Sequence, residues 1–357
     1  MRVAIEGATL GLSSGGLARY TGELSLALAR TFPEDEFYLV SDRPFAMPAA
    51  APGNLKRGGG PRNAAERRWW LWGLPRELSR LGADLVHGPD FAVPYLARRP
   101  SVLTLHDLSP WMNRRWHHAA GRVRRRTPAL LELGIATMVV TPGETVRKQA
   151  IERFRLRPDR VVAVPEAAAP WFRPVERASP VSPGAPYFLF VGTLEPRKNL
   201  PMLVAAWREV RRSHAVDLVI AGRKRSDFAE VPGLIGETGV RWLGEVPDAS
   251  LPELYSGALA LVYPSLYEGF GLPVLEAMQC GACVIASRAV EEAAGDAAIY
   301  ARDTAELAQA MCAMCESPER VAKMRAKSLE RAGQFTWERT ARETYEVYRE
   351  ARRRFGE

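Results

Sequence analysis

The sequence predicts an α/β protein with two domains, each a Rossmann-like unit built around a parallel β-sheet. In both halves of the chain, short apolar runs of strand length alternate with longer segments that have helical spacing. A stretch with five prolines and no periodicity, residues 170–186, lies between the halves. The chain has 357 residues, more than usually pack around a single hydrophobic core. Alternating strands and helices in each half are typical of doubly wound parallel sheets.

The first half is predicted to start with a strand and to continue as strands separated by helices. A glycine-rich turn joins the first strand to the amphipathic helix 17–30, and a second helix is expected over residues 146–154. Residues 43–65 are rich in Pro, Gly, Ala and Arg and are predicted to form a mobile loop. The predicted strands of this half are residues 3–5, 37–41, 84–87, 102–105, 138–141 and 161–164.

The second half repeats this alternation after the proline-rich stretch. Its predicted strands are residues 187–191, 218–221, 240–243, 258–263, 283–286 and 299–301. Its predicted helices are residues 201–212 and 251–256, a short one opening at Pro273, those between 304 and 332, and a last one that opens around Thr336.

The composition indicates a globular protein rather than a membrane-spanning one. Hydrophobic residues make up 47% of the chain and charged residues 25%, which are ordinary values for a globular enzyme. No run approaches the roughly 20 apolar residues that a membrane span needs. The opening MRVAIEGATL fits a first strand better than a cleavable signal, so a cytoplasmic location is expected.

The net charge of +8 is concentrated in the first half, where residues 1–180 hold 27 Lys and Arg against 17 Asp and Glu. Two interpretations stay open: an anionic partner, such as a membrane surface or a phosphate-bearing acceptor, or a solvated arginine-rich surface. The basic, tryptophan-dense segment 66–76 has two interpretations: contact with a membrane interface, or a helix that packs its tryptophans onto the sheet or around an acceptor. Gly73 and Pro75 interrupt any long amphipathic helix and so favour the second. No nucleic-acid-binding motif accompanies the basic run 114–126, so no nucleic-acid partner is predicted.

The four cysteines form two C-x-x-C pairs, a spacing that is found at zinc sites. Cys280 and Cys283 lie between a predicted helix and a predicted strand, where small buried residues suit the packing. Cys312 and Cys315 lie in a helical run whose apolar spacing already explains them. The cysteines are therefore predicted to be structural, with neither a metal nor a disulfide.

The stretch YEGFGLPVLEAMQCG, residues 267–281, is the first candidate site. Pro273 and Gly281 stand where a helix tolerates proline in its first turn and favours glycine at its end, so a strand, a glycine-rich loop and a short helix are predicted. The loop amides and the helix N-terminus form a natural anion site. Glu268 in the loop and Glu276 in the helix can accept hydrogen bonds from sugar hydroxyls. The alternative is a surface helix with solvated acids.

The segment GTLEPRKN, residues 192–199, is the second candidate site. Arg197 and Lys198 stand at the start of a predicted helix, where positive charge opposes the helix dipole. A site that must hold a dianion explains this local cost, since Arg offers a forked set of donors and Lys a compact charge. A solvated pair of basic residues is the alternative.

The first half carries weaker candidates. The turn GLSSGG, residues 11–16, can present backbone amides to a phosphate, although its spacing is not the dinucleotide fingerprint G-x-G-x-x-G. Asp42, at the end of a predicted strand, imitates the ribose-binding acid of a nicotinamide-binding domain. His106 directly follows strand 102–105 and so lies at the carboxyl edge of the sheet, where open α/β folds bind ligands. A hydrogen-bonded structural histidine is the alternative for His106.

Together these motifs resemble the retaining glycosyltransferases of the GT-B fold, in the large family often called family 4. The resemblance spans nearly the whole chain and is strongest over residues 187–287. It rests on the E-x7-E pair Glu268 and Glu276, the G-T-x-x-x-R-K-N segment from Gly192, and the pair His106-Asp107. Two segments depart from the family pattern: Gly143 replaces the serine of a T-P-S module, and Glu166-Ala167-Ala168-Ala169 replaces a short polar segment.

In this family the first Glu of the motif contacts the donor sugar, the second contacts the nucleotide ribose, and the Arg and Lys hold the diphosphate. The resemblance therefore implies catalytic roles for His106, Arg197, Lys198 and Glu268. It implies donor binding by Gly15, Gly16, Gly192, Thr193, Arg197, Lys198, Glu268, Gly269, Phe270, Gly271, Leu272 and Glu276. His106 is expected to support the donor sugar, and Asp107 to orient the loop.

The resemblance also implies the domain organisation. Residues 1–170 are expected to form an acceptor-binding domain, 171–186 a linker and 187–335 a nucleotide-sugar-binding domain. The C-terminal helix, 336–357, is expected to pack back on the first domain, and the two domains to face each other across a cleft.

The expected activity is retaining transfer of a hexose from a nucleoside diphosphate sugar to a glycan or lipid-linked glycan. The HDLSP segment and the glycine turn look most like bacterial mannosyltransferases of surface polysaccharide assembly, so GDP-mannose is the expected donor. No D-x-D triplet occurs, so no obligatory metal or other cofactor is expected. The alternatives are a glycan phosphorylase or sugar-nucleotide epimerase on the same fold, and a catalytically silent sugar-nucleotide-binding subunit.

Overall fold

The computed structural model describes residues 1–12, 15–116, 120–176, 185–225 and 236–355. The chain forms two compact units: Met1–Glu166 together with Thr336–Glu357, and Ala167–Phe335. The first boundary thus lies a few residues before position 170. The centre of the predicted linker, residues 177–184, lies outside the described residues.

Among the described residues of the first unit, seven parallel strands form one sheet. They are β1 (Arg2–Glu6), β2 (Glu36–Val40), β3 (Leu55–Arg57), β4 (Leu85–Gly88), β5 (Ser101–Thr104), β6 (Met138–Thr141) and β7 (Val161–Ala163). The order is β3-β2-β1-β4-β5-β6-β7, so the direction of strand addition reverses between β1 and β4. The residues of β4, β5 and β6 are buried without alternation, as expected where helices cover both faces of a parallel sheet.

The loop predicted for residues 43–65 is wrong in part, because β3 lies within it. Leu55 is buried and pairs with Phe37 of β2. The Asn54 side chain donates to three backbone carbonyls at 2.9 to 3.2 Å and fixes the approach to the strand. A three-residue strand inside a Pro- and Gly-rich run is too short to show the alternation by which strands are recognised.

Five α-helices are described in the Met1–Glu166 part of the first unit, and the first and last of them begin and end within two residues of the predicted helices 17–30 and 146–154. The five are α1 (Gly16–Thr31), α2 (Leu74–Leu81), α3 (Ser109–Met112), α4 (Gly121–Glu132) and α5 (Glu144–Phe154). A π-helical turn, Trp69–Gly73, leads into α2. Trp69 is buried against β1, β2 and α2, as the sequence predicts, whereas Trp72 is 36% exposed.

In the described part of the second unit, six parallel strands form the sheet. They are β8 (Tyr187–Val191), β9 (Asp217–Ala221), β10 (Val240–Gly244), β11 (Ala260–Tyr263), β12 (Val284–Ala286) and β13 (Ala298–Tyr300). The order β10-β9-β8-β11-β12-β13 repeats that of the first unit, with the reversal between β8 and β11. Two such sheets confirm the α/β fold class.

Helices cover this second sheet and close its core. They are α6 (Leu200–Arg211), α7 (Leu251–Gly257), α8 (Leu272–Gln279), α9 (Glu291–Ala294), α10 (Thr304–Glu316) and α11 (Pro318–Ala332). Trp207 of α6 is fully buried, and its indole N–H donates to the Val216 carbonyl oxygen at 3.1 Å. Asp303 and Ser317 cap α10 and α11 by accepting backbone N–H groups of their first turns.

The last helix, α12 (Trp337–Arg354), belongs to the first unit. Thr336 caps it, and its inner face packs on α1. The Tyr348 hydroxyl lies 2.7 Å from Nδ1 of His87, and Nε2 of His87 lies 2.7 Å from the Thr104 hydroxyl. Burial, and then the charge of His106, lower the pKa of His87 to about 3, so this ring is neutral.

Cys280 and Cys283 are buried in the core of the second unit, and Cys312 and Cys315 pack against its edge. No group of three or more His, Cys, Asp or Glu side chains in the described ranges is arranged to hold a metal ion. None of the described helices combines the length and the apolar character needed to cross a bilayer.

Candidate active site

Two loops of the second unit meet at the carboxyl edge of its sheet. Residues 192–199 follow β8 and residues 264–271 follow β11, and these strands are neighbours at the point where the strand order reverses. The Leu266 amide donates to the Arg197 carbonyl oxygen at 2.8 Å and ties the loops together. Such a switch point is where open α/β sheets bind ligands.

Arg197 lies on the 3₁₀ turn Pro196–Lys198 and is almost fully buried. Its Nε and Nη2 donate to one Glu195 oxygen at 3.0 and 2.8 Å. Its Nη1 donates to the Tyr267 carbonyl oxygen at 2.8 Å and to Oε2 of Glu268 at 3.0 Å. Acceptors on several sides fix the plane of the guanidinium, so its charge stays at the sheet edge.

Lys198 is buried beside Arg197. Its Nζ donates to Oε1 of Glu268 at 2.6 Å and to the Tyr263 hydroxyl, and it lies 4.7 Å from the centre of the Tyr263 ring. Burial lowers the pKa of Lys198, while the Glu268 charge acts in the opposite direction. The ammonium therefore depends on Glu268 for its stability in the buried loop.

Glu268 bridges the two cations that the sequence singles out. Burial alone would raise the pKa of Glu268, but the charges of Arg197 and Lys198 outweigh it and hold the pKa at about 2. Glu195 joins the same cluster, because its second oxygen accepts from Nη1 of Arg225 at 2.9 Å. Arg197, Lys198 and Arg225 thus face two carboxylates, which leaves one positive charge in excess among these five groups.

Glu276 lies in α8, and only 1% of it is exposed. Its Oε2 accepts a hydrogen bond from the Tyr255 hydroxyl of α7 at 3.1 Å. This bond fixes the side chain between α7 and α8. The two glutamates of the motif therefore differ in surroundings, since one faces cations and the other a neutral hydroxyl.

The loop between them ends at the N-terminus of α8, which begins at Leu272, one residue before the predicted opening at Pro273. Gly271 precedes it at φ +108°, and a Cβ there would lie 2.8 Å from Cγ1 of Val290, so only glycine fits. Phe270 is buried and meets the Phe335 ring edge-on at 5.7 Å. Within the described residues, the amides of Gly269, Phe270, Gly271 and Leu272 donate no hydrogen bond. Free amides at a helix N-terminus favour an anion.

The remaining predicted donor-binding residues are divided between the units. Gly192 directly follows β8 and donates to the Ala221 carbonyl oxygen at 2.9 Å, and Thr193 beside it is half-buried. Gly15 and Gly16 lie in the first unit, where Gly15 is the N-cap of α1 and Gly16 its first residue. Ser13 and Ser14 of the same turn lie outside the described residues.

His106 lies after β5 at the carboxyl edge of the first sheet, as the sequence predicts. Its Nδ1 is 3.0 Å from Oε1 of Glu166, and its Nε2 is 2.7 Å from the Pro89 carbonyl oxygen. The Tyr20 ring meets the imidazole edge-on at 4.7 Å. Asp107 accepts from the Ser109 amide and hydroxyl at 2.9 and 2.7 Å, which holds the start of α3.

Two acids stand at the first sheet's own switch point, and the charge of one of them, Asp90, acts on His106. Glu6 ends β1, and Asp90 follows β4. Burial and the charges of Asp42 and Asp90 raise the pKa of Glu6 to about 8, against the opposing effects of the Ala8 amide and the Arg43 charge. Oε1 of Glu6 is buried without a hydrogen-bond partner among the described residues. Burial likewise raises the pKa of Asp90.

The structure brings Arg197, Lys198 and Glu268 into direct contact, with Glu276 in the helix that follows. Sequence reasoning missed the residues that hold these side chains, namely Glu195, Arg225, Tyr255 and Tyr263, and it missed Glu166, which holds His106. Glu195 stands inside a motif that was recognised, and Glu166 inside a segment that was recognised as unusual. The two tyrosines fit the apolar pattern of a helix and a strand, so the sequence did not indicate that their hydroxyls contact site residues.

Comparison with known families agrees with this architecture. The family model described as "Glycosyltransferase Family 4" matches residues 14–172, and that described as "Glycosyl transferases group 1" matches residues 185–317. The O-antigen chain mannosyltransferase B of Escherichia coli is 32% identical over 287 residues, covering 74% of each chain. A D-inositol 3-phosphate glycosyltransferase of Nocardia farcinica is 27% identical over 386 aligned positions, covering 94% of this chain and 84% of the relative.

Solved structures give the same fold. Sucrose-phosphate synthase from Thermosynechococcus elongatus superposes with a TM-score of 0.74 at 23% identity, covering 98% of both chains. WaaG, a glycosyltransferase involved in lipopolysaccharide biosynthesis, superposes with a TM-score of 0.71 at 15% identity, covering 97% of this chain and 99% of the other. With two parallel-sheet domains, the switch-point cluster and these similarities, the chain belongs to the group 1, family 4 glycosyltransferases and has the GT-B fold.

Proposed function

We propose that this glycosyltransferase moves a mannose from GDP-mannose, with retention of anomeric configuration, to a glycan or lipid-linked glycan of a bacterial surface polysaccharide. The observation that carries the proposal is the buried cluster of Arg197, Lys198 and Glu268 at the second sheet's switch point. A relative named as an O-antigen chain mannosyltransferase supports the choice of sugar and of acceptor class.

The cluster suits a leaving nucleoside diphosphate. Its excess positive charge and the free amides of residues 269–272 offer a diphosphate charge-assisted hydrogen bonds from two directions. Donors that are already fixed need no reorganisation when negative charge develops on the leaving group, so they stabilise the transition state more than the ground state. We assign diphosphate stabilisation to Arg197 and Lys198.

The two glutamates of the motif take different parts of the donor in this proposal. Glu268, whose carboxylate is kept ionised by both cations, accepts hydrogen bonds from sugar hydroxyls. Glu276 accepts from the ribose hydroxyls and is oriented by Tyr255. His106 supports the sugar from the first unit, and Gly15 and Gly16 approach the diphosphate.

The chemistry is a front-face displacement. The bond between the sugar anomeric carbon and the diphosphate oxygen breaks, and the acceptor oxygen forms a bond to that carbon on the same face. The acceptor proton passes to the leaving phosphate oxygen. Glu268 is occupied by two cations and Glu276 by Tyr255, so neither is free in the way that a covalent nucleophile requires. The positive charges of Arg197 and Lys198 neutralise the negative charge that develops on the leaving diphosphate, so no metal is obligatory.

The test compares donors and then acceptors. Thermal unfolding with GDP-mannose, UDP-glucose and ADP-glucose should show the largest increase in melting temperature for GDP-mannose, because ligands stabilise the state that binds them. Transfer to methyl α-D-mannopyranoside should then give an α-linked product by proton NMR. D-inositol 3-phosphate is the second acceptor to assay, since several relatives are named for it. A chain that neither binds nor turns over any of these donors contradicts the proposal.

Peripheral association with an anionic membrane completes the proposal. The exposed Trp72 lies under the Arg76 guanidinium, with 5.4 Å between the guanidinium carbon and the ring centre, and Leu96 is exposed beside Arg98. Aromatic and basic side chains together suit a headgroup region. Sedimentation with phosphatidylglycerol vesicles, but not with phosphatidylcholine vesicles, is expected at low salt. Equal sedimentation with both, or none, contradicts this part.

A further inference from the structure

Glu166 gives His106 a partner that the assigned roles do not explain. Both ring nitrogens of His106 lie against oxygen atoms, Nδ1 against Glu166 and Nε2 against the Pro89 carbonyl. A carbonyl oxygen only accepts, so Nε2 must carry a proton. The Nδ1 contact holds one further proton, which belongs either to the imidazole or to the carboxylic acid.

We propose that Glu166 is a positioning residue that holds His106 as an imidazolium with both N–H groups donating. Imidazole is a stronger base than carboxylate by about 2 pH units in ordinary surroundings, so the shared proton belongs on the ring. His106 is then a fixed positive charge at the carboxyl edge of the first sheet. It is not a general base, because neither nitrogen has a free lone pair.

The groups around His106 agree with this state. Burial alone would lower the pKa of His106, but the hydrogen bond and charge of Glu166, the Pro89 carbonyl and the charge of Asp90 together raise it. The other charged and titratable groups packed against the ring or its acids are Tyr20 of α1, His87 of β4, Arg126 of α4, and Asp107 and Glu6 at the strand ends. His87 is neutral, so the nearest second imidazole adds no competing positive charge.

The position of Glu166 is fixed by its surroundings. Its side chain is 5% exposed, and the preceding Pro165 carbonyl oxygen accepts from the Thr340 hydroxyl of α12 at 2.7 Å. A carboxylate held in place in this way orients the imidazole as well as charging it. The unusual Glu-Ala-Ala-Ala segment therefore supplies one functional side chain followed by three small buried ones.

The test uses the full chain labelled with ¹⁵N-histidine. Long-range ¹H–¹⁵N spectra at pH 7.5 should show two protonated nitrogens for His106, identified by the signals that His106→Asn removes. Glu166→Gln should lower the titration midpoint of His106 by about 1–3 pH units, the usual effect of one adjacent opposite charge. Glu166→Asp should restore part of the shift. Glu152→Gln, at an exposed position of α5, is the matched control and should leave the midpoint unchanged.

A neutral His106 ring at pH 7.5 in the wild-type spectrum overturns the inference, even if the Glu166 variants fail to fold. Coincident titrations of wild type and Glu166→Gln overturn it as well. The bearing on catalysis rests on the proposed transfer activity: the fall of activity as pH rises through the His106 pKa should move to lower pH in Glu166→Gln. The NMR titration is independent of that activity, so absent transfer contradicts the proposed function alone.

Discussion

Arg197 and Glu268 are 71 positions apart in the sequence, yet Nη1 of the arginine lies 3.0 Å from Oε2 of the glutamate. Both residues are 9% exposed. Charges taken out of water are tolerated only as long as each keeps its partner, and removal of one partner leaves the other uncompensated. The pair therefore links the architecture of the site to its chemistry, and variants must be designed to separate the two.

Arg197→Ala is expected to lower transfer by about 10²-fold or more, the scale for loss of one preorganised donor. It should also lower the free energy of unfolding by about 3–5 kcal/mol, because Glu195 and Glu268 lose a buried counter-ion. Steady-state kinetics and urea unfolding measure the two effects. The double variant Arg197→Ala with Glu268→Gln should recover part of the stability and none of the activity. Near-normal turnover in the single variant rejects the assigned role.

Glu268→Gln is expected to lower transfer by about 10²-fold without weakening GDP binding. The substitution keeps the shape of the side chain but removes the negative charge that faces Arg197 and Lys198. The two cations then attract a diphosphate more strongly, while the sugar loses a charged acceptor. Calorimetric titration with GDP measures the affinity, and kinetics with GDP-mannose measure the transfer rate. Loss of GDP affinity in this variant contradicts the charge argument.

Glu276 is expected to bind the ribose, and a double-mutant cycle isolates that contact. Wild type should lose about 10–100-fold in affinity when GDP is replaced by its 2′-deoxy or 3′-deoxy analogue, the range for a hydrogen bond to a charged group. Glu276→Gln should show a much smaller difference between GDP and the deoxy analogues. Additive losses show that Glu276 and the ribose do not interact, and the ribose assignment then falls.

Glu6→Gln is expected to change how stability depends on pH. In the folded protein the pKa of Glu6 is about 8, against an ordinary value of 4.5, so the folded state binds the proton more tightly than the unfolded state. The contribution of Glu6 is fully present below pH 4.5 and is lost as pH rises through about 8. The variant should therefore gain stability relative to wild type across this window, on the order of 3–5 kcal/mol by pH 9.

Chemical denaturation at several pH values measures this difference. Glu132→Gln, at an exposed position of α4, is the matched control and should give a difference that stays flat with pH. A flat difference for Glu6→Gln too means that the carboxyl is ionised in the folded state, contrary to the expected cost of its burial.

Much of the fold could be predicted because its signals are local. β8, β11 and α8 are each marked by an apolar run, a proline or a glycine in a short window, and their bounds agree with prediction within about two residues. β3 has no such signal, because its place in the sheet comes from pairing with β2 across a turn-rich segment. Parallel pairing of this kind is decided by the whole unit rather than by the strand.

The residues of the candidate site likewise divide into those with a local sequence signal and those without one. Arg197, Lys198 and Glu268 could be named from motifs, because their residue types and spacing point to one chemistry. Glu195 could not, since a glutamate two positions before an arginine is common and its function depends on Arg225 lying opposite. The environment of His106 was equally hidden, because Glu166 is 60 positions away and follows β7, which β6 separates from β5 in the sheet.

The second unit is one uninterrupted stretch of chain, whereas the first is completed only by α12. During synthesis the ribosome therefore delivers all of Ala167–Phe335 before the helix that covers α1 and bonds to His87 through Tyr348. We expect the nascent first unit to keep an exposed apolar surface while the second unit is synthesised and folds. A chaperone that shields exposed apolar surface should bind nascent chains in that interval and release them once α12 has emerged.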